Sequence, residues 1–147
     1  MIPSFSSLII KIIFSLEYFI EDSFKKITLY SNKVTEANYR QLANGKYEVT
    51  MEVESSKTYY DGIGKTLGVS ENENYLEIGV FGEDGENDKG MTSKTPLKLI
   101  KKWIKPGSSK HVFITDEIPA KAGIDPYNKM IDRIPNDNMK NLEEITE

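Results

Sequence analysis

"GKYEVTMEVE", Gly45 to Glu54, decides the fold. Tyr47, Val49, Met51 and Val53 alternate with Lys46, Glu48, Thr50, Glu52 and Glu54, so one face is apolar and the other charged. That period of two is a half-buried strand, with one row of side chains on a core and the other in water. Asn44-Gly45 stands immediately upstream, a dipeptide that tolerates the positive φ of a tight hairpin turn. "VTEANYRQL", Val34 to Leu42, is therefore expected to pair antiparallel with it.

Further strands lie outward from that hairpin. "YLEIGVFG" sets Leu76, Ile78 and Val80 against Tyr75, Glu77 and Phe81, while "FKKITLY" and "HVFIT" read as shorter strands. "TPLKLIKKWIKPG" has helical spacing at Leu97, Ile100 and Ile104, but Pro96 and Pro106-Gly107 favour a strand and a turn. Its lysines suit an edge, where they discourage pairing with another sheet. "GEDGENDKG", Gly82 to Gly90, has no apolar residue and reads as a solvated, mobile connection.

The N-terminal stretch has a different period. In "SFSSLIIKIIFSLEYFIEDSF", Phe5, Leu8, Ile9, Ile12, Leu16, Phe19 and Ile20 recur at helical spacing, with Ser4, Ser7, Lys11, Ser15 and Asp22 on the other side. Ile10, Ile13 and Phe14 make the apolar face too wide for an ordinary surface helix, so a partner should cover it. Lys11 and Glu17 interrupt the run, and no basic residue precedes it, which argues against a signal peptide or a spanning helix. The expected fold is mostly β: an antiparallel β-sandwich, immunoglobulin-like, preceded by one amphipathic helix. Residues 1–23 form the helical extension, 24–138 the sandwich and 139–147 a polar tail.

Composition removes several chemistries. The chain has 147 residues, enough for one domain with a core, and a net charge of -4, whereas a nucleic-acid partner would call for a basic chain. Without cysteine there is no disulfide, thiolate nucleophile or cysteine-bound zinc, and a single histidine, His111, excludes two-imidazole sites.

The remaining motifs are weaker than they look. "DGIGKT", Asp61 to Thr66, has Tyr59 where a phosphate-binding loop needs glycine, and reads as a turn. "DGENDKG" places Asp84, Glu86 and Asp88 alternately, but Lys89 and Thr95 stand where a calcium loop needs glycine and glutamate. Lys94, Lys98, Lys101, Lys102, Lys105 and Lys110 surround Trp103, without arginine. That points to a ring in the core or packed under lysine stems rather than a nucleic-acid surface. His111 reads as a strand-end surface residue.

"AGIDPYNKMIDRIPNDN", Ala122 to Asn138, reads as a closing segment. Gly123 allows a special turn, Asp125-Pro126 starts one, and Ile131 and Ile134 are spaced to anchor in a core. Asp125 and Asp132 could be offered as an acid pair, but a carboxylate pair means nothing without a separation, and no activity is expected. Tyr59, Tyr60, Tyr75 and Trp103 form the alternative site: an aromatic platform for carbohydrate or peptide, provided the rings are exposed together.

In order, "YFIEDSFKKITLYSNK", "GKYEVTMEVESSKTYYD", "YLEIGVFGEDG" and "KAGIDPYNKMIDRIPNDN" resemble the C-terminal region of large bacterial membrane proteins of Bacteroidetes type. Those proteins fuse an ABC-transporter-type permease to a zinc aminopeptidase domain of the aminopeptidase N type. The resemblance runs from about Tyr18 to Asn138 and implies a β-sandwich after a thermolysin-like catalytic domain. It makes the N-terminal helix similar to the end of that domain. Nothing in this chain matches the family's HExxH zinc helix, so no catalytic residue, metal ligand or cofactor carries over. The resemblance therefore implies an accessory, non-catalytic module, membrane-associated only indirectly and in an extracytoplasmic setting. Its partner would be a peptidase-like catalytic domain, or a second copy, met through Leu8, Ile12, Leu16 and Phe19. A separate gene product, a remnant and a piece of a longer protein all fit a chain opening "MIPSFSS".

Overall fold

A computed structural model describes residues 5–20, 26–86, 92–93 and 95–146. The decisive hairpin is present and longer than its sequence pattern suggests. Strand β1 (Ile27–Gln41) pairs antiparallel with β2 (Tyr47–Tyr60) along its whole length. Ile27 to Tyr30 of "FKKITLY" and Val34 to Gln41 of "VTEANYRQL" are thus two parts of one strand, while Phe24 and Lys25 lie outside the described residues. Their patterns fail to join because Val34 faces Val53 while Glu36 faces Glu52, leaving Thr35 as a bulge. An extra residue reverses which side chains point inward. Thr28, Tyr30, Asn32 and Val34 are buried before it, and Ala37 after it.

The turn between them is also wider than a two-residue loop. Leu42 N–H donates to Lys46 O and Gly45 N–H to Leu42 O, with Gly45 at φ 84°. This is a three-residue turn closed by a glycine bulge, and only Gly45 carries the positive φ. "DGIGKT" makes the same turn: Asp61 N–H donates to Lys65 O, and Gly64 sits at φ 87°. Asp61 Oδ1 also accepts from the N–H groups of Ile63 and Lys65. The phosphate-loop lookalike is therefore a hairpin leading to β3 (Thr66–Val69).

A second sheet lies against the first. It is built on β4 (Asn74–Phe81), and the two-residue strands β5 (Gly85–Glu86) and β6 (Thr92–Ser93) form a separate hairpin after it. The remainder of "GEDGENDKG", residues 87–90, lies outside the described residues, as does Lys94. Strand β7 (Pro96–Ile104) forms the expected edge, and β8 (Gly107–Thr115) crosses back to pair with β2. Strands β9 (Lys121–Ile124) and β10 (Met139–Asn141) complete the second sheet in the order β10-β9-β4-β7. A last strand, β11 (Glu143–Glu144), adds to β1 in parallel.

The core is the interface of the two sheets. Val49, Met51 and Val53 from the first meet Leu76, Ile78, Val80, Ala122 and Ile124 from the second, all at most 1% exposed. Burying each large apolar side chain contributes about 1.5–3 kcal/mol. The molecule is a β-sandwich, as its alternation implied.

Two expectations at the C-terminal end need correction. Residues 139–144 supply two strands rather than a tail, because Met130 and Leu142 pack on the core and Leu142 N–H donates to Ala120 O. Ile131 and Ile134 do not anchor; they are 70% and 59% exposed. Tyr30 N–H donates to Ile131 O and Arg133 N–H to Tyr30 O, so Asp132, between them, turns inward. Its Oδ2 accepts from Asn32 N–H and its Oδ1 from Ile134 N–H. The anchor of the closing segment is a carboxylate.

Helix α1 (Phe5–Ile20) carries Ile9, Ile10, Ile12, Ile13, Leu16 and Ile20 exposed. The side chains of Leu8 and Phe19 lie outside the described residues. No described helix is long and apolar enough to cross a membrane.

Candidate functional site

The outer face of the second sheet collects most of the polar and aromatic chemistry. Pairing of β4 with β7 sets Tyr75 opposite Trp103, Glu77 opposite Lys101 and Gly79 opposite Leu99. Paired residues share a face, so these six side-chain positions lie together. The Tyr75 and Trp103 ring centroids are 5.1 Å apart with planes tilted by 37°, and the residues are 46% and 37% exposed. Trp103 is not in the core; its ring lies against that of its cross-strand neighbour.

Glu77 is almost buried beside this pair. Its Oε1 takes Lys129 Nζ at 2.6 Å and lies 3.9 Å from Lys101 Nζ, while its Oε2 is buried with no hydrogen-bond partner. Lys129 arrives on the loop after β9, which folds back over the sheet. Asp125 N–H donates to Glu77 O, and the Tyr127 ring meets Phe81 edge-on. Gly123 lies within β9 without a positive φ, and its role is room: a Cβ there would sit 3.0 Å from Met139 and 3.2 Å from Pro126. The special backbone belongs instead to Asp125 and Asn128, at φ 43° and 50°.

Tyr59 and Tyr60 belong to the other sheet, and as consecutive strand residues they point to opposite faces. Lys26 and Lys57 ammonium groups lie 4.6 and 5.6 Å from the Tyr59 ring, and Arg133 reaches the Tyr60 hydroxyl at 3.4 Å. The structure thus brings Tyr75 and Trp103 together and sets Tyr59 and Tyr60 elsewhere.

Asp125 and Asp132 are both committed to backbone. Asp125 accepts from the N–H groups of Lys129 and Met130 at 3.0 Å each, and Asp132 from Asn32 and Ile134. Burial pushes the Asp125 carboxyl above its ordinary range against those two bonds. The Asn138 amide, with its nitrogen facing the acceptors, donates to Asp132 Oδ2 and Asn32 O. These carboxylates close a loop, each accepting two backbone N–H bonds in doing so.

His111 is not a strand-end surface residue. It sits within β8, paired with the core residue Met51, and is 8% exposed. Its Nε2 meets Ser109 Oγ of the same strand at 2.8 Å, and its Nδ1 meets Lys102 Nζ, of the other sheet, at 3.3 Å. Burial, and then the Lys102 charge, lower its pKa below 6.5.

Lys57, which sequence reasoning misses, is fully buried. The signal was present: extending the inward row Tyr47, Val49, Met51, Val53 by twos reaches Ser55, Lys57 and Tyr59. Among the described residues no cluster of three His, Asp or Glu side chains could hold a metal, and Asp88 of the calcium-like loop lies outside them. A groove of about 570 Å³ is lined by Val69, Ser70, Glu71, Glu73, Lys105 and Pro106. It has no aromatic side chain among these, and half of its lining residues are charged, unlike the walls that usually hold small ligands.

No family model, curated protein or solved structure matches this chain.

Proposed function

We propose that the protein is a non-catalytic β-sandwich interaction module that docks through its N-terminal helix. The observation that carries this reading is the apolar surface of α1. Ile12 and Leu16 are about half exposed, with Ile9, Ile10, Ile13 and Ile20 around them. A contiguous apolar surface of this kind marks a place where protein is meant to cover protein. The resemblance to an aminopeptidase-like C-terminal region supplies the partner: a peptidase-type catalytic domain, or a second copy when that domain is absent. The test is the full chain carrying Ile12→Glu and Leu16→Glu. Wild-type chain self-associates with rising concentration in sedimentation velocity and the variant stays monomeric. Equal behaviour of the two removes the docking role.

A second reading has one specific observation in its favour. Tyr75 and Trp103 stand exposed side by side, as a carbohydrate- or peptide-binding platform requires. Because Trp103 is the single tryptophan, its fluorescence reports that face alone. A saturable change on titration with soluble oligosaccharides supports the platform; a flat titration rejects it for sugars.

A further inference from the structure

Strand β7 differs from every other long strand of the sandwich in being exposed on nearly all sides. Among the described residues it pairs only with β4, which leaves the backbone groups of its second edge without a strand neighbour. Of its nine residues only Ile104 is buried. Leu99, Ile100 and Trp103 are 37–40% exposed, and they fall on both faces of the strand. A long edge with apolar side chains on both faces is a template for another strand. Main-chain bonds supply affinity in such strand addition, and alternate side chains supply selectivity.

The charges on β7 say which strand. Lys98, Lys101 and Lys102 lie on it and Lys105 comes directly after it, with no acidic residue between Lys94 and Lys110. Glu77 engages Lys101 only at 3.9 Å, and its closer partner is Lys129. Pairing with a second copy is disfavoured: an antiparallel dimer centred on Ile100 sets Lys98 against Lys102 twice, and like charges directly opposite repel. An extended segment with acidic residues at alternate positions sets them all on one face, against Lys98 and Lys102, and sets its apolar residues on the other, against Leu99 and Trp103.

We infer that the β7 edge, Pro96 to Ile104, is a strand-addition site for an acidic, extended peptide segment. This is independent of docking through α1, since it involves a distant part of the sequence and a different element.

The test uses the full chain and three capped peptides: repeated Glu-Val, repeated Lys-Val, and repeated Glu-Val with alternate backbone nitrogens methylated. The methylated peptide is made in both phases. The acidic peptide binds, changing Trp103 fluorescence and the amide signals of residues 97–104, and the basic peptide does not. Methylation in one phase abolishes binding and in the other leaves it, because only every second N–H of an added strand faces the sheet. Lys98→Glu weakens the acidic peptide, and the pair Lys98→Glu with Lys102→Glu, on the same face, reverses the preference by roughly tenfold, the scale of two cross-strand charge pairs. Binding indifferent to methylation phase, or to the lysine changes, overturns the inference. So does an absence of binding, or a mass that doubles through β7 pairing in the wild type. A fluorescence response to oligosaccharide with none to acidic peptide assigns the face to a sugar and overturns it as well.

Discussion

Tyr75 and Trp103 face one another in register across β4 and β7, their ring centroids 5.1 Å apart on the solvent side of the second sheet. Such pairs contribute about 0.5–1.5 kcal/mol beyond area burial. In a double-mutant cycle of Tyr75→Ala and Trp103→Ala, read by urea denaturation, the coupling energy falls in that range. Each single variant remains folded, because neither ring fills the core. Coupling near zero means that the stack does not hold the edge strand in place.

Stability falls with acidification through His111. Its folded-state pKa lies below 6.5, so the unfolded chain binds the proton more readily. The stability contributed by neutral His111 is fully present above the unfolded value and is lost as pH falls from there through the lowered folded-state value. Wild-type urea midpoints should drop as pH falls below about 6.5, and more steeply than those of His111→Gln. Parallel curves for the two proteins contradict a buried neutral imidazole.

Asp132→Ala removes the acceptor for the buried Asn32 N–H and for Ile134 N–H. An orphaned buried donor costs about 1–3 kcal/mol. Chemical denaturation should show that loss, while Ile131→Ser, at a 70% exposed position in the same segment, changes stability by less than about 0.5 kcal/mol. The reverse order restores the isoleucine as anchor.

Gly79→Ala places a Cβ 2.5 Å from Lys98 O and 2.9 Å from a Leu99 methyl. Backbone cannot yield to it cheaply, so β7 must shift, at about 1–3 kcal/mol or more. Thermal melting gives the loss, and amide exchange along Pro96–Ile104 locates it. A melt unchanged from wild type means that β7 is not tied to β4 at this point.

Residues whose inward or outward position follows a single parity were legible in the sequence. Tyr47 to Val53 alternate without interruption, and the strand, its hairpin partner and the sandwich all derive from them. Parity fails at Thr35, where one extra residue splits β1 into two apparent strands. It misleads again at Ile131, because backbone bonds to Tyr30 turn Asp132 inward and the isoleucines out. Short strands of two or three residues, β10 and β11, offer too little length for a period to declare itself. As for the candidate sites, Trp103 is marked by its lysine surroundings, whereas its contact with Tyr75 depends on a register that no local pattern encodes. His111 shares the buried row of Phe113 and Thr115 in β8, but a polar residue at the head of a short run does not announce which of its two faces turns inward.

Light-scattering mass, together with far-UV circular dichroism, of the full chain and of a chain lacking Met1 to Glu21 tests the docking role of α1 most directly. The account predicts that the full chain self-associates and that the shortened chain is a monomer with its β spectrum intact. A shortened chain that unfolds would contradict it, because α1 would then belong to the sandwich's own core and not to an interface.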